Sequence, residues 1–201
     1  MKPIMYRFLT VACLLASAPI LCSVEKEPIA NYQVLFSPGD HIADELISLI
    51  AAEKKSIKAA VYSLMHGGIA KALVDAHNRG VHVEVIVDPY SLKSHTTVKK
   101  MGAAHLPIFV WSPPARFKES KDGRKIRQRT PLMHDKFCVL GNSRVWTGSF
   151  NFTLAATSAN RENVVVLEST QIASRYLDEF EKLKKTGCIS LSDYLSEKNE
   201  K

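Results

Sequence analysis

The chain has 201 residues, a formal net charge of +7 and 46% hydrophobic residues. That length suits one domain with a full core and excludes a string of domains. The histidines are scattered without paired spacing and no Cys-x-x-Cys occurs, which excludes a recognisable zinc centre, while the positive charge favours polyanionic or anionic-lipid partners.

Residues 1–23 read as a signal peptide. Lys2 and Arg7 give a basic start, Phe8 to Leu21 is mostly apolar, and the chain turns polar at Val24-Glu25-Lys26. The apolar run is shorter than the roughly 20 residues of a spanning helix and contains Pro19. The expected location is therefore secreted or periplasmic, with an uncleaved membrane anchor as the other reading. Tyr32 to Ser37 is a strand, and Ser37-Pro38-Gly39-Asp40 turns it into a helix with Ile42, Leu46, Leu49 and Ile50 on one face. A strand over Ile57 to Ser63 precedes a helix over Gly68 to Arg79, closed by Gly80, and the branched run Val81 to Val87 suits a buried strand. Lys93 to Met101 reads as a helix and Ile108 to Trp111 as a short strand. Late in the chain, Val164 to Leu167 is a strand and Gln171 to Lys185 a helix with Ile172, Tyr176, Leu177, Phe180 and Leu183 along one stripe. Residues 24–185 thus form one α/β domain, a three-layer α-β-α sandwich with a mixed, mostly parallel sheet, followed by a polar tail at 186–201.

The segment Arg116 to Arg129 carries Arg116, Lys118, Lys121, Arg124, Lys125, Arg127 and Arg129 against only Glu119 and Asp122. It reads as a basic loop at the rim of a site, with Arg116, Lys118, Arg124, Lys125, Arg127 and Arg129 as substrate-binding candidates for a polyanion. Trp111, Phe117 and Ile126 are dispersed among these charges, a poor match to an apolar membrane-docking rim.

The chemistry lies just beyond. Met133 to Leu140 is rich in branched and aromatic residues, Gly141-Asn142-Ser143 supplies a turn, and Val145 to Phe152 returns as a second strand. Residues two apart on a strand share a face, so His134 and Lys136 form one pair and Ser149 and Asn151 another. An imidazole can attack phosphorus, an ammonium can neutralise the non-bridging oxygens, and a hydroxyl with a carboxamide can hydrogen-bond developing charge.

These residues resemble the phospholipase D superfamily signature, His-x-Lys, four residues, Asp, then Gly-Ser-x-Asn, matched here by His134, Lys136, Gly148, Ser149 and Asn151. The signature's Asp falls at Gly141, a departure that Gly141→Asp would test. In Asn160-Arg161-Glu162-Asn163, the resemblance makes Glu162 the carboxylate that orients the nucleophilic imidazole. It implies phosphodiester hydrolysis through a phosphohistidine, without metal or cofactor.

The signature occurs once, whereas in-line displacement needs a nucleophile and a proton donor on opposite sides of phosphorus. A symmetric homodimer with two copies of His134 at the two-fold axis meets that need, as single-motif relatives form. Short secreted chains with one motif look most like small bacterial endonucleases acting on DNA or RNA. A phospholipase D acting on phosphatidylcholine or cardiolipin at a phospholipid membrane, and a nucleic-acid-binding protein with little turnover, are the alternatives. A Cys138–Cys188 disulfide would require their Cα atoms to lie close together.

Overall fold

A computed structural model describes residues 31–93 and 96–199; the expected signal peptide lies outside them. The first half comprises β1 (Asn31–Phe36), α1 (Ile42–Ala52), β2 (Ser56–Val61), α2 (Gly67–Asn78), β3 (His82–Val87), a 3-10 turn (Pro89–Leu92), α3 (Thr97–Ala103) and β4 (Ile108–Trp111). The second comprises β5 (Phe117–Glu119), β6 (Lys125–Arg127), β7 (Lys136–Leu140), β8 (Arg144–Gly148), α4 (Leu154–Ser158), β9 (Asn163–Glu168), α5 (Thr170–Gly187), β10 (Cys188–Ser190) and α6 (Leu191–Asn199).

Eight strands form one sheet in the order β1-β9-β8-β7-β2-β3-β4-β10. Alternation along each strand divides the core between its two faces. Ile57, Ala59 and Val61 of β2 and Val83, Val85 and Val87 of β3 pack with Leu46 and Ile50 of α1 and with Ile69 and Leu73 of α2. Ala60, Ile86, Phe137, Val139 and Val145 face the other way, onto Ala173, Phe180 and Leu183 of α5. The period-two and helical patterns thus produce the three expected layers.

The sheet is mixed, but the expectation that it is mostly parallel does not hold. Only β2–β3 and β3–β4 are parallel; the other five neighbouring pairs are antiparallel. Parallel neighbours need a crossover, which α2 and α3 provide, whereas the short turn after Leu140 returns β8 directly beside β7. The helix expected at Lys93 begins only at Thr97. Asp88 caps a 3-10 turn instead, its Oδ1 accepting from the Tyr90 amide at 2.9 Å, with Pro89 at the first position.

Two further segments differ from expectation. The basic segment is a two-stranded hairpin, β5 against β6, rather than a loop. Residues 186–201 are not simply a polar tail, because β10 adds an edge strand beside β4 and α6 seats Leu191 against the core at 7% exposure. A Cβ on Gly102 of α3 would lie 2.6 Å from Leu191 Cδ2, so the glycine makes room for that contact. Cys138 and Cys188 are free thiols. Their strands, β7 and β10, are four strand spacings apart in the sheet, roughly 19 Å, which forbids a bond.

Candidate active site

The C-terminal ends of β1, β2, β3 and β8 and the N-terminal ends of β7 and β9 all reach the same end of the sheet. The register makes this explicit: Phe36 pairs with Asn163, Gly148 with Val164, and Val61 with Lys136. This end collects the motif residues. Strand β7 begins at Lys136, and His134 stands exposed just before it. The Tyr62 amide donates to Asp135 O at 2.9 Å, which continues the β2–β7 pairing by one step and holds the backbone between the two motif side chains. Asp88 secures the approach from β3: its Oδ2 accepts from the Met133 amide at 3.1 Å.

Lys136 is 9% exposed, and its Nζ donates to His134 O at 2.5 Å. Burial pulls its pKa below the ordinary lysine value, against the opposing pull of Asp135 and Glu162. The ammonium lies 5.4 Å from the centre of the Tyr62 ring. Tyr62 also tilts against the His134 imidazole, with ring centres 4.7 Å apart, and stacks on Tyr90 at 5.0 Å with an interplanar angle of 13°.

Ser149 Oγ donates to Glu162 Oε2 at 2.5 Å and accepts from the Asn163 amide at 3.1 Å. Asn160 Nδ2 donates to the second Glu162 oxygen at 3.0 Å. The expected hydrogen bond from the His134 ring to Glu162 is absent among the described residues, where the two carboxylate oxygens accept from Ser149 and Asn160 instead. By the same geometry, the Ser149 hydroxyl proton already points at Glu162 rather than at an open substrate position. Asn151 Oδ1 is buried without a hydrogen-bond partner among the described residues, so this carboxamide, unlike Ser149 and Glu162, is not tied into the network.

The sequence makes this approach possible through Gly148. A Cβ there would clash with Asn163 O, far inside van der Waals contact, and that oxygen accepts from the Ser149 amide at 3.0 Å. Ser37 holds the other side: its Oγ donates to Asn160 O at 2.9 Å and accepts from the Glu162 amide at 3.0 Å, while its own amide donates to Glu162 O at 3.0 Å. Ser37, Tyr62, Asp88 and Tyr90 were not singled out as site residues from the sequence. The available signal was positional, since Tyr62 and Asp88 immediately follow buried strands whose C-terminal ends line a crevice in open α/β sheets.

Among the basic candidates, Arg116, Lys118, Arg124, Lys125 and Arg127 lie on or beside the exposed hairpin, and none bonds a motif residue among the described residues. Arg124 is engaged locally: its guanidinium beside Asp122 holds that carboxyl down at about 2. The charge of Arg129 acts on the Tyr62 phenol, opposing burial, Asp88 and Tyr90, which together raise its pKa.

Gly141, where the signature has Asp, lies at the far end of β7 from Lys136. Its φ is +63°, and a Cβ would lie 3.4 Å from Glu53 Oε2. Glu53 thus already brings a carboxylate to that turn.

A buried lysine beside an exposed imidazole, at the end of this mixed sheet, defines a phosphodiester-hydrolysing α/β domain. A family model described as "Cardiolipin synthase, PLD-like domain" matches residues 46–184, and the chain belongs to that family, within the phospholipase D superfamily of phosphodiesterases. It is 28% identical over 163 residues to a mitochondrial cardiolipin hydrolase of Xenopus tropicalis, covering 81% of this chain and 70% of that protein. It is 30% identical over 146 residues to a phospholipase D of Rickettsia bellii, covering 72% of this chain and 65% of that protein. Its structure is similar to that of a phospholipase D family member, Nuc, from Salmonella typhimurium: the TM-score is 0.66 at 28% identity, over 80% of this chain and 97% of that one. NucT from Helicobacter pylori shares the fold, with a TM-score of 0.65 at 22% identity, over 80% and 99% of the two chains.

Proposed function

We propose that this phosphodiesterase hydrolyses nucleic-acid phosphodiester bonds, without a metal, as a homodimer outside the cytoplasm. A nitrogen of one His134 attacks phosphorus, forming a P–N bond as the P–O bond to the leaving group breaks. The protonated His134 of the second copy gives its proton to the departing oxygen. That imidazole, now neutral, takes a proton from water as the water oxygen attacks phosphorus, the P–N bond breaks, and the first His134 is released. Lys136 supplies the positive charge for the non-bridging oxygens, and the Asn151 carboxamide supplies a donor. Glu162 holds Ser149 in place and balances the charge of Lys136.

The observation that carries the choice of substrate is the face pattern of the basic hairpin. Directly opposed residues share a face, so Phe117 lies with Arg127, whereas Ile126 lies with Lys118 on the opposite face. The two exposed apolar side chains, at 58% and 55%, are thus divided between faces and form no surface for bilayer insertion. A polyanion instead meets cationic side chains on both faces.

Hydrolysis of phospholipid headgroups is the second reading, favoured by the names of relatives called phospholipase D and cardiolipin hydrolase. Incubation of the protein and its His134→Ala variant, in chelator, with single-stranded DNA, duplex DNA, RNA and cardiolipin or phosphatidylcholine vesicles separates the readings. Nucleic-acid cleavage that disappears in the variant supports the proposal. Headgroup release without such cleavage overturns it in favour of the lipase reading, and binding of nucleic acid without any turnover would leave a binding protein.

A further inference from the structure

We propose that the Tyr62–Tyr90 stack beside His134 is a docking platform for an unpaired nucleobase, a specificity that rests on the nucleic-acid reading above. The rings form a short series leading from the nucleophile to solvent. His134 to Tyr62 is 4.7 Å and Tyr62 to Tyr90 is 5.0 Å, so the outer ring lies within about 10 Å of the imidazole. Tyr90 is 41% exposed. That span is short enough for a base at Tyr90 and a phosphate at His134 to belong to neighbouring nucleotides of one strand.

The platform is held in place before substrate arrives. The Tyr62 amide donates to Asp135 O at 2.9 Å, and Tyr62 O accepts from Ser91 Oγ at 3.1 Å. The Tyr90 amide is held by Asp88 Oδ1 at 2.9 Å. Backbone anchors of this kind reduce the ordering that a guest must otherwise impose.

Chemistry around the rings selects the guest. Aromatic pairs ordinarily attract either a flat base or a cationic headgroup such as choline. Here a lysine already stands over each ring, Lys136 Nζ 5.4 Å from the Tyr62 centre and Lys93 Nζ 5.7 Å from the Tyr90 centre, and the charge of Arg129 opposes that of Asp88 at the Tyr62 phenol. A quaternary ammonium would be repelled by these groups, whereas a base flanked by phosphates would be attracted. A duplex buries its base faces in stacking and pairing, so the platform accepts single strands or frayed ends.

The test uses the full chain carrying His134→Ala, which is expected to bind without cutting, and compares an oligothymidylate with an abasic strand of equal length by fluorescence anisotropy. The intact strand is expected to bind about tenfold more tightly. Adding Tyr90→Ala is expected to remove most of that difference, and Tyr90→Phe to retain it. If Tyr90→Ala discriminates between the strands as well as its parent, the platform is wrong while the nuclease reading stands. If neither strand binds and the wild type hydrolyses only vesicles, both fail together.

Discussion

The 2.5 Å hydrogen bond from Ser149 Oγ to Glu162 Oε2 joins the exit of β8 to the entry of β9 at the centre of the motif. Ser149 is therefore not a free phosphate donor: its one hydroxyl proton fixes the carboxylate whose charge reaches Lys136. Replacing Ser149 with Ala removes that bond and leaves the Asn163 amide without its side-chain acceptor. Ser149→Ala is expected to lower stability by about 1–3 kcal/mol and to reduce kcat more than it raises KM. Urea unfolding and steady-state kinetics check this. An unchanged kcat would show that the bond has no part in catalysis.

Lys136 gives substrate binding an alkaline limit. Its ammonium is the form that binds phosphate, and burial lowers its pKa from 10.5. Binding of a single-stranded oligonucleotide to the His134→Ala variant should therefore be present below that lowered value and decline as pH rises through it, before an exposed lysine would titrate. Anisotropy titrations across alkaline pH show whether the limb lies below 10.5. With Lys136→Arg added, whose guanidinium keeps its proton throughout, that limb should be absent.

Gly141→Asp, which the family signature would suggest as a repair, is expected to harm the protein. The position has a positive φ, and the new side chain would enter beside the Glu53 carboxylate. Left-handed strain and like-charge repulsion together should cost about 1–3 kcal/mol. Denaturant midpoints of Gly141→Asp and Gly141→Asn separate strain from charge. A gain in stability from the aspartate would contradict this account of the turn.

Glu84 anchors α5 to the sheet. It is 6% exposed and bonds Lys58 of the neighbouring strand and Lys184 of α5, while Lys58 also bonds Glu181 at 2.8 Å. Burial alone would raise its pKa, but Lys184 and Lys58 hold it below the ordinary 4.5. A depressed carboxylate contributes stability that is present above about pH 4.5 and lost as pH falls through the folded value. Glu84→Gln, which leaves two lysines facing a neutral amide, should cost roughly 3 kcal/mol near neutral pH and flatten the acid limb of stability. Thermal unfolding from pH 3 to 7 tests both parts.

Most strands and helices were legible in the sequence because burial on one or both faces imposes a period, as in Val81 to Val87 and the stripe ending at Leu183. Ile108 to Trp111 was located to the residue. The strand directions were less legible, since parallel pairing depends on which strands become neighbours rather than on their own residues. The hairpin and β10 have strands of only three residues, too short to show a period. At the site, the spacing revealed His134, Lys136, Ser149 and Asn151 because chemistry demands those types together. The bonds of Glu162 and the Tyr62–Tyr90 stack depend on the order of strands in space, which no local pattern contains.

The most direct test of the central claim is mass spectrometry of the protein denatured in alkaline buffer during turnover of a single-stranded oligonucleotide in chelator. A phosphoryl-linked nucleotide fragment is expected on the peptide containing His134 and is expected to be absent from His134→Ala. Steady cleavage with no adduct on that peptide, or undiminished cleavage by His134→Ala, would contradict the claim.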